Sequence, residues 1–258
     1  MKLQKLAPVL LLSTVAGTAY ADGDDSGLYF GAGVGVESFE SAGFLNVGPT
    51  ALPSTGTTPP VVVDAAINVD LGDTDFAGTI YLGYGFDFDE LFDIDALEDL
   101  YLALEVNATF SSIKADANLQ TSLEPVISTL TAVSSSLELN NSYGVSLLPG
   151  FWVTEDVLVY LRGGVVWGHI ESKIIGAISN DTKTTNQFGG QFGGGLEYGV
   201  TENVNLRAEY IYTAYQSFDQ KIPTAVIQAS STQNLYVPMN AHFNLNTSIS
   251  TVSINYRF

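Results

Sequence analysis

The sequence predicts an all-β fold: an eight-stranded antiparallel up-and-down transmembrane β-barrel with long external loops and short periplasmic turns. Three observations support this prediction. Apolar and polar residues alternate with a period of two in eight segments, long and short connections alternate between them, and aromatic residues lie near the segment ends. The chain has 258 residues, 46% of them hydrophobic and 14% charged, with no Cys. That composition is typical of a folded chain and excludes disulfides, thiolate nucleophiles and cysteine-bound zinc.

The N-terminal segment predicts export. Lys2 and Lys5 precede a short apolar core, Leu6–Val15, and the small-x-small sequence AYA follows it. The alternative interpretation is an uncleaved N-terminal membrane anchor, but the apolar core is too short to span a membrane. We therefore expect a cleaved signal peptide over residues 1–21 and a barrel domain over residues 22–258.

The charge balance limits the possible partners. The chain has nine Lys and Arg against 28 Asp and Glu, and the predicted signal peptide contains two of the basic residues and none of the acids. The mature chain therefore carries seven basic and 28 acidic residues, a net charge of −21. Such a chain repels nucleic acids, so we expect no nucleic-acid partner. The acid excess is otherwise typical of a solvated surface.

Eight segments show the alternation. The clearest is 100–110, LYLALEVNATF, in which every even-numbered residue is apolar. Because successive side chains of a strand point to opposite faces, one face of this segment is apolar throughout. The predicted strands are 27–38, 74–86, 99–112, 142–153, 157–169, 187–200, 204–216 and 247–258. The long connections are 39–73, 113–141, 170–186 and 217–246, and the others are 87–98, 154–156 and 201–203.

Alternation alone allows two kinds of barrel. A soluble carrier turns its apolar face inward around a ligand, whereas a membrane barrel turns it outward into lipid. Three features favour the membrane barrel. Glycines such as Gly31, Gly33 and Gly35 crowd the polar face, where small residues suit a narrow interior. The predicted strands have about the length that a tilted strand needs to cross a bilayer. Aromatic residues of the apolar face form two rings.

These rings predict the two membrane interfaces, because Tyr, Trp and Phe side chains are enriched at headgroup level. The short-turn rim is predicted to contain Tyr84, Phe86, Phe151, Tyr198, Tyr256 and Phe258. The opposite rim is predicted to contain Phe76, Phe110, Tyr143, Trp167, Phe188 and Tyr212.

The polar face predicts a charged lumen. Its ionisable residues are Glu37, Glu105, Arg162, Glu197, Arg207, Glu209 and Arg257. We expect these charges to pair, because a buried charge needs a partner. Its large side chains are Tyr29, Tyr81, Tyr101, Trp152 and Tyr160. Two interpretations stay open: a plugged structural interior, or a narrow gated pore that the acidic total would make cation-favouring.

The sequence does not predict an enzyme, a cofactor or a metal site. His169 and Ser172 are three residues apart and therefore do not share a strand face, and no Asp lies near His242 in NAHFNLN. Segment 87–99 has seven acids but lacks the glycine of an EF-hand loop, so we interpret it as a solvated periplasmic turn.

The external loops have patterns of their own. Seven apolar residues recur at helical spacing in 113–141 and predict an amphipathic helix packed on the barrel mouth or on lipid; they are Leu119, Leu123, Val126, Ile127, Leu130, Val133 and Leu137. The apolar stretches 47–67 and 222–239 predict a cap over the mouth or a surface that binds a ligand.

Four stretches carry a family resemblance. The export signal, GLYFGAGVGV, GGGLEYGVTENVNLRAEYIY and the closing VSINYRF resemble the OmpA-like and OmpX-like eight-stranded outer-membrane barrel superfamily. The resemblance covers essentially the whole mature chain, but nothing in the sequence corresponds to the peptidoglycan-binding domain of OmpA. It implies a Gram-negative outer membrane, lipid as a partner, and a last strand recognised by the barrel-assembly machinery with Phe258 as the assembly signal.

Overall fold

A computed structural model describes residues 26–51, 62–87, 99–119, 129–130, 133–175, 180–230 and 233–258. Within these ranges the chain forms ten strands and no helix suited to crossing a membrane. The strands are β1 Gly27–Ala51, β2 Val62–Asp87, β3 Leu100–Leu119, β4 Thr129–Leu130, β5 Val133–Thr154, β6 Val157–Ile175, β7 Asn180–Gly199, β8 Val204–Tyr215, β9 Phe218–Ser230 and β10 Gln233–Arg257. The predicted signal peptide and the acidic segment 88–98 lie outside the described residues.

Eight of these strands close into a ring. The order is β1-β2-β3-β5-β6-β7-β8-β10, and β10 pairs antiparallel with β1 from Arg257↔Tyr29 upward. Two tight connections lie at the lower end, Glu155–Asp156 and residues 200–203. The eight-stranded antiparallel up-and-down barrel is therefore confirmed. Closure matters because each strand of the lower, ring-closed part of the wall then has a neighbour on both sides, and no sheet edge would meet lipid there.

All eight predicted strands are in the right place, but seven are too short at their upper ends; β8 ends one residue before its predicted end at 216. β1 continues to Ala51 where the prediction ended at 38, and β10 begins at Gln233 where it began at 247. Much of what was predicted as long external loops is therefore a continuation of the barrel wall. We call the upper part of the wall, which contains these continuations and the last one or two residues of most predicted strands, the extension. It consists of residues 38–51, 62–75, 111–119, 133–141, 168–175, 180–187, 218–230 and 233–247.

The apolar face changes sides where the extension begins. In β1, Val34 and Val36 are exposed on the outer face, whereas Phe39 is 1% exposed and faces inward. In β3, Phe110 lies outside and Ile113 is fully buried. Nine inward apolar residues fill the extension: Phe39, Ile113, Ala115, Leu137, Leu139, Ile170, Phe218, Phe243 and Leu245. Water outside the extension, in place of lipid, explains the exchange of faces.

The extension is divided into two sheets. β2 pairs with β3 only up to Ala77↔Ser111, and β7 pairs with β8 only up to Gly189↔Tyr215. Above these points β2 and β3 are no longer paired, and neither are β7 and β8, which leaves one sheet of β4-β9-β10-β1-β2 and one of β3-β5-β6-β7. The Ser172 hydroxyl donates to Gln220 Oε1 at 2.6 Å between the two sheets. Their facing apolar sides form a sandwich-like core above the charged lumen.

The helix predicted within 113–141 is wrong for the described residues. Leu119 ends β3, Leu130 lies in β4, and Val133 and Leu137 belong to β5. Leu137 is buried on the inward face of its strand. The helical spacing therefore combined residues of three separate strands. Leu123, Val126 and Ile127 lie outside the described residues. The backbone of the two apolar loop stretches forms extended hairpin arms where it is described, β1 with β2 and β9 with β10.

Candidate functional site: the charged lumen and its rims

The centre of the lumen contains a buried carboxylate that contacts two guanidinium groups. Arg162 Nη2 lies 2.5 Å from Glu105 Oε1, and Arg207 Nη1 lies 2.6 Å from Glu105 Oε2. Arg162 also donates through Nε to Glu209 Oε1 at 2.6 Å. Glu105 comes from β3, Arg162 from β6 and Arg207 and Glu209 from β8. These contacts therefore join walls of the barrel that are not neighbours in the ring.

The same network continues toward the lower end. Arg207 Nη2 lies 3.1 Å from Glu197 Oε2, and Arg257 Nη2 lies 3.3 Å from Glu197 Oε1. Six of the seven ionisable residues that the polar face predicted are thereby connected, three acids with three bases. The connected charges sum to zero. That balance is what a buried site requires, since an unpaired charge in the interior is costly.

Neutral polar residues complete the network, and the sequence analysis did not single them out. Asn205 Nδ2 and Asn255 Nδ2 donate to Glu197 Oε1 at 2.6 and 2.8 Å. Arg162 Nη1 donates to Ser146 Oγ at 3.2 Å. All three neutral residues are buried and inward in the strand alternation. The signal that could have found them is polarity at an inward position next to a predicted charge.

Aromatic residues form the lower part of the lumen. Tyr29, Tyr81, Tyr101 and Tyr160 are buried in one cluster with Ala103, Leu148 and Leu158, and Trp152 packs against it. The Arg207 guanidinium lies 4.4 Å from the centre of the Tyr81 ring. Tyr29 also donates its hydroxyl to Glu105 Oε2 at 3.0 Å. The tyrosines thus fill space and add cation–π and hydrogen-bond contacts to the charges.

Glu37 stands apart from the network. Its carboxyl group is buried near the top of the lumen, beside the Ser111 and Thr247 side chains. One of its oxygens, Oε2, has no hydrogen-bond partner. The sequence predicted that each lumen charge would pair, but Glu37 forms no ion pair with any of the described residues. The physical reason is distance along β1, because Glu37 lies above the level of Glu105 and Arg207.

The aromatic residues of the outer face lie in two rims. At the lower end, the ring of Phe30 lies 6.0 Å from that of Tyr256 and 5.9 Å from that of Phe258. At the upper end, Tyr143 pairs in register with Trp167, whose ring lies 5.5 Å from that of Phe188.

Nine of the twelve predicted rim residues are exposed: Phe76, Tyr84, Phe110, Tyr143, Phe151, Trp167, Phe188, Tyr256 and Phe258. The other three, Phe86, Tyr198 and Tyr212, are half-buried. Phe30 also belongs to the lower rim, although it was not predicted there, and its two ring neighbours, Tyr256 and Phe258, come from the end of the chain.

Both histidines lie on the outer face of the extension. His169 Nδ1 lies 2.8 Å from Asn186 Oδ1. His242 Nδ1 lies 2.7 Å from Asp219 Oδ1, which corrects the expectation that His242 has no nearby Asp. The partner was missed because it lies on β9, across the hairpin. Among the described residues, no three His, Cys, Asp or Glu side chains cluster as metal ligands would.

The closed ring, the charged lumen and the two rims can be compared with known proteins. A family model described as the outer membrane protein beta-barrel domain matches residues 7–258. The chain belongs to this family. The resemblance to eight-stranded outer-membrane barrels is confirmed, and the protein is an outer-membrane β-barrel.

The solved structures to which this chain is similar come from several bacteria. OprG from Pseudomonas aeruginosa is 11% identical, with 90% of this chain and 97% of that one covered and a TM-score of 0.46. The outer membrane protease OmpT from Escherichia coli is 11% identical, with 91% and 97% covered and a TM-score of 0.45. Ail, the attachment invasion locus protein of Yersinia pestis, is 11% identical, with 88% and 99% covered and a TM-score of 0.35. The search of curated proteins returned no match.

Proposed function

We propose that this outer-membrane barrel is a closed, structural membrane protein without a constitutive pore. The observation that supports this proposal is Arg207, which is buried in the lumen and contacts Glu105 and Glu197 at once. An ion on the barrel axis would have to displace these contacts. The interior of an eight-stranded barrel is just wide enough to be filled by side chains, which favours the closed state.

Three layers support the same proposal. The tyrosine cluster fills the lower lumen, the neutral charge network fills the middle, and the apolar core fills the extension. An apolar layer is unfavourable for an ion, because nothing there replaces the hydration shell. A gated, cation-favouring pore remains the competing role, and it would require both the network and the apolar layer to rearrange.

A planar-bilayer recording of the purified protein tests the proposal. We expect no discrete conductance steps for the wild-type barrel at any voltage. Glu105→Ala and Arg162→Ala each remove part of the network, and Lys114→Ala, on the outer face of the extension, is the control. Discrete wild-type conductance that changes with Glu105→Ala but not with Lys114→Ala would establish the pore in place of the closed barrel.

A second candidate function is surface binding through the extension. It is favoured by the continuation of the wall, as two packed sheets, above the upper aromatic rim. Such a scaffold would hold the outermost connections away from the lipid, and exposed loops on rigid scaffolds commonly carry binding function. Replacing residues 222–239 with a short turn should abolish adhesion of expressing cells to host-cell surfaces while the barrel still folds. Unchanged adhesion, with a lower-turn variant as control, would contradict this role.

We also propose a non-enzymatic role and the partners that follow from the fold. The two histidines contact Asn186 and Asp219, and neither contact pairs an imidazole with a hydroxyl or thiol nucleophile. Lipid would contact the outer apolar face between the rims. The assembly machinery would recognise the last strand, where the Phe258 amide donates to the Leu28 carbonyl at 3.0 Å and the Phe258 ring is 68% exposed.

A further inference from the structure

A buried polar layer lies in the lumen above the charge network, where the extension begins. It consists of one carboxyl group and four hydroxyl groups, on Glu37, Ser111, Ser142, Tyr215 and Thr247, and we call these five residues the hydroxyl layer. The Glu37 carboxyl lies beside the Ser111 and Thr247 side chains. The Tyr215 side chain lies beside those of Ser142 and Thr247. Because the five residues come from β1, β3, β5, β8 and β10, the layer spans the lumen.

Apolar side chains separate the hydroxyl layer from the arginines below it. On β8, Ile211 lies between the network residue Glu209 and Tyr215, and it is buried in one cluster with Ile249 of β10. Above the layer lies the apolar core of the extension, which begins with Phe39 on β1. The hydroxyl layer is therefore a polar region between two apolar ones.

Glu37 leaves this layer with a negative charge that nothing balances. The residue is 3% exposed, and its Oε2 atom has no hydrogen-bond partner. The charge network below pairs three acids with three bases, so Glu37 forms no ion pair with any described residue. A carboxylate buried between apolar layers is strongly unfavourable without a positive partner. The described lumen is thus one positive charge short of neutrality.

The neighbouring hydroxyl groups offer the other ligands that a small cation needs. Carboxylate and hydroxyl oxygens are hard donors, which suit alkali and alkaline-earth ions. The Tyr215 ring is held in place over Gly168, where an added Cβ would lie 2.6 Å from the ring atom Cε1. A single carboxylate neutralises a monovalent ion, whereas a divalent ion would leave a buried positive charge. Charge balance therefore selects a monovalent ion.

An ion can reach the layer from the side of the barrel. β2 and β3 pair only up to Ala77↔Ser111, and Ser111 lines an open cleft at that point. The same Ser111 side chain lies beside the Glu37 carboxyl. Asp75, an exposed residue of the cleft, pairs in register with Glu37 and attracts cations to the entrance. Entry by this route does not cross the charge network.

We propose that the hydroxyl layer binds one alkali metal ion, Na⁺ or K⁺. Glu37 supplies the charge, and side-chain oxygens of Ser111, Thr247 and Tyr215 are the neutral ligands. The ion brings the described lumen to zero net charge and gives Glu37 Oε2 a partner. It stabilises the folded barrel, and this role does not depend on whether the barrel conducts.

Urea unfolding of the full folded chain in phosphatidylcholine vesicles, followed by tryptophan fluorescence, tests the proposal. NaCl or KCl replaces tetramethylammonium chloride at constant ionic strength, because tetramethylammonium has the same charge but is not coordinated by oxygen ligands. We expect a saturable gain, with the unfolding equilibrium constant falling about tenfold at roughly ten times the Kd. Glu37→Gln keeps the shape, removes the charge and should abolish this dependence. Thr247→Val should raise the Kd about fivefold, which keeps the test decisive if Glu37→Gln does not fold.

Glu40→Gln is the matched control, because Glu40 is exposed on the same strand. This variant should keep the cation dependence of the wild type. Equal loss in Glu40→Gln would reduce the effect to general surface charge, and dependence that survives Glu37→Gln would place the ion elsewhere. Wild-type stability that is equal in all three salts would leave Glu37 without a metal ion. Each of these three results overturns the proposal, and none of them bears on whether the barrel is closed, which the conductance recording tests.

Discussion

Replacing Arg207 with Met is the sharpest test of the charged lumen. The substitution keeps much of the side-chain volume but removes a guanidinium that is 2% exposed. Two carboxylates lose a partner: Glu105, at 2.6 Å, and Glu197, at 3.1 Å. The six connected charges then no longer balance, and a net negative charge remains buried in the lumen.

The expected loss of unfolding free energy is about 3–5 kcal/mol, the cost of removing one partner of a buried pair. The substitution breaks two ion pairs, those of Arg207 with Glu105 and with Glu197, but we do not expect the loss of unfolding free energy to double. Glu105 keeps Arg162, and Glu197 keeps Arg257 together with hydrogen bonds from two asparagines. Each carboxylate therefore retains a cation, and the energy reflects one uncompensated charge. The loss of ring contacts with three tyrosines adds to the same total.

Urea unfolding in lipid vesicles, followed by tryptophan fluorescence, measures this free energy. Trp152 lies beside the lower cluster and Trp167 in the upper rim, so the two ends of the barrel each have a reporter. Lys114→Met is the control, because its ion pair with Glu138 is largely exposed and should contribute about 0–1 kcal/mol. A cost for Arg207→Met no larger than that of Lys114→Met would refute the reasoning.

A double-mutant cycle with Glu197→Gln gives a second check. Removing both charges restores a neutral network, so the double variant should cost less than the sum of the single variants by about 0.5–3 kcal/mol. Strict additivity would mean that Arg207 and Glu197 do not interact in the folded barrel.

Three further predictions concern packing and assembly. Gly83→Ala should destabilise the barrel by about 1–3 kcal/mol in the same assay, because its Cβ would overlap the Tyr29 ring. Gly163→Ala should be nearly neutral, because nothing lies within 4 Å of a Cβ at that position. Equal costs for the two variants would contradict this packing. Ile113→Ala should cost about 2–5 kcal/mol and raise protease sensitivity above the upper rim, and unchanged proteolysis would argue against an apolar core in the extension. Phe258→Ala should lower the fraction of heat-modifiable, membrane-inserted protein in cells more than it lowers the stability of barrels that do fold, and normal insertion would contradict an assembly role.

Much of the barrel could be predicted from the sequence, because strand alternation is a local property. The pattern of 100–110 placed Leu104 and Val106 outside and Glu105 inside, and the structure has this arrangement. The same parity selected the seven ionisable residues that point into the lumen. Ring closure followed from alternating connection lengths and from the resemblance of the last strand, VSINYRF, to those of eight-stranded barrels.

The extension could not be predicted in the same way. Its strands alternate too, but their apolar residues, such as Phe39 and Ile113, point inward. The predicted strands required an outward apolar face, so they ended at residues 38 and 112, before this change of face. Leu130 and Leu137 matched a helical period although they belong to different strands, β4 and β5. Only the pairing of strands shows that these residues belong to separate strands above the membrane.

The sequence by itself determined that the chain forms a closed membrane barrel with a charged interior, because alternation and interface aromatics are fixed by neighbouring residues and by lipid. The tertiary structure decided which charges meet. Glu105 and Arg207 are 102 positions apart, Glu37 is left out of the network, and Asp75 lies opposite Glu37 at a cleft. Such contacts depend on strand register and on where a strand leaves its neighbour, and neither property is encoded in a local pattern.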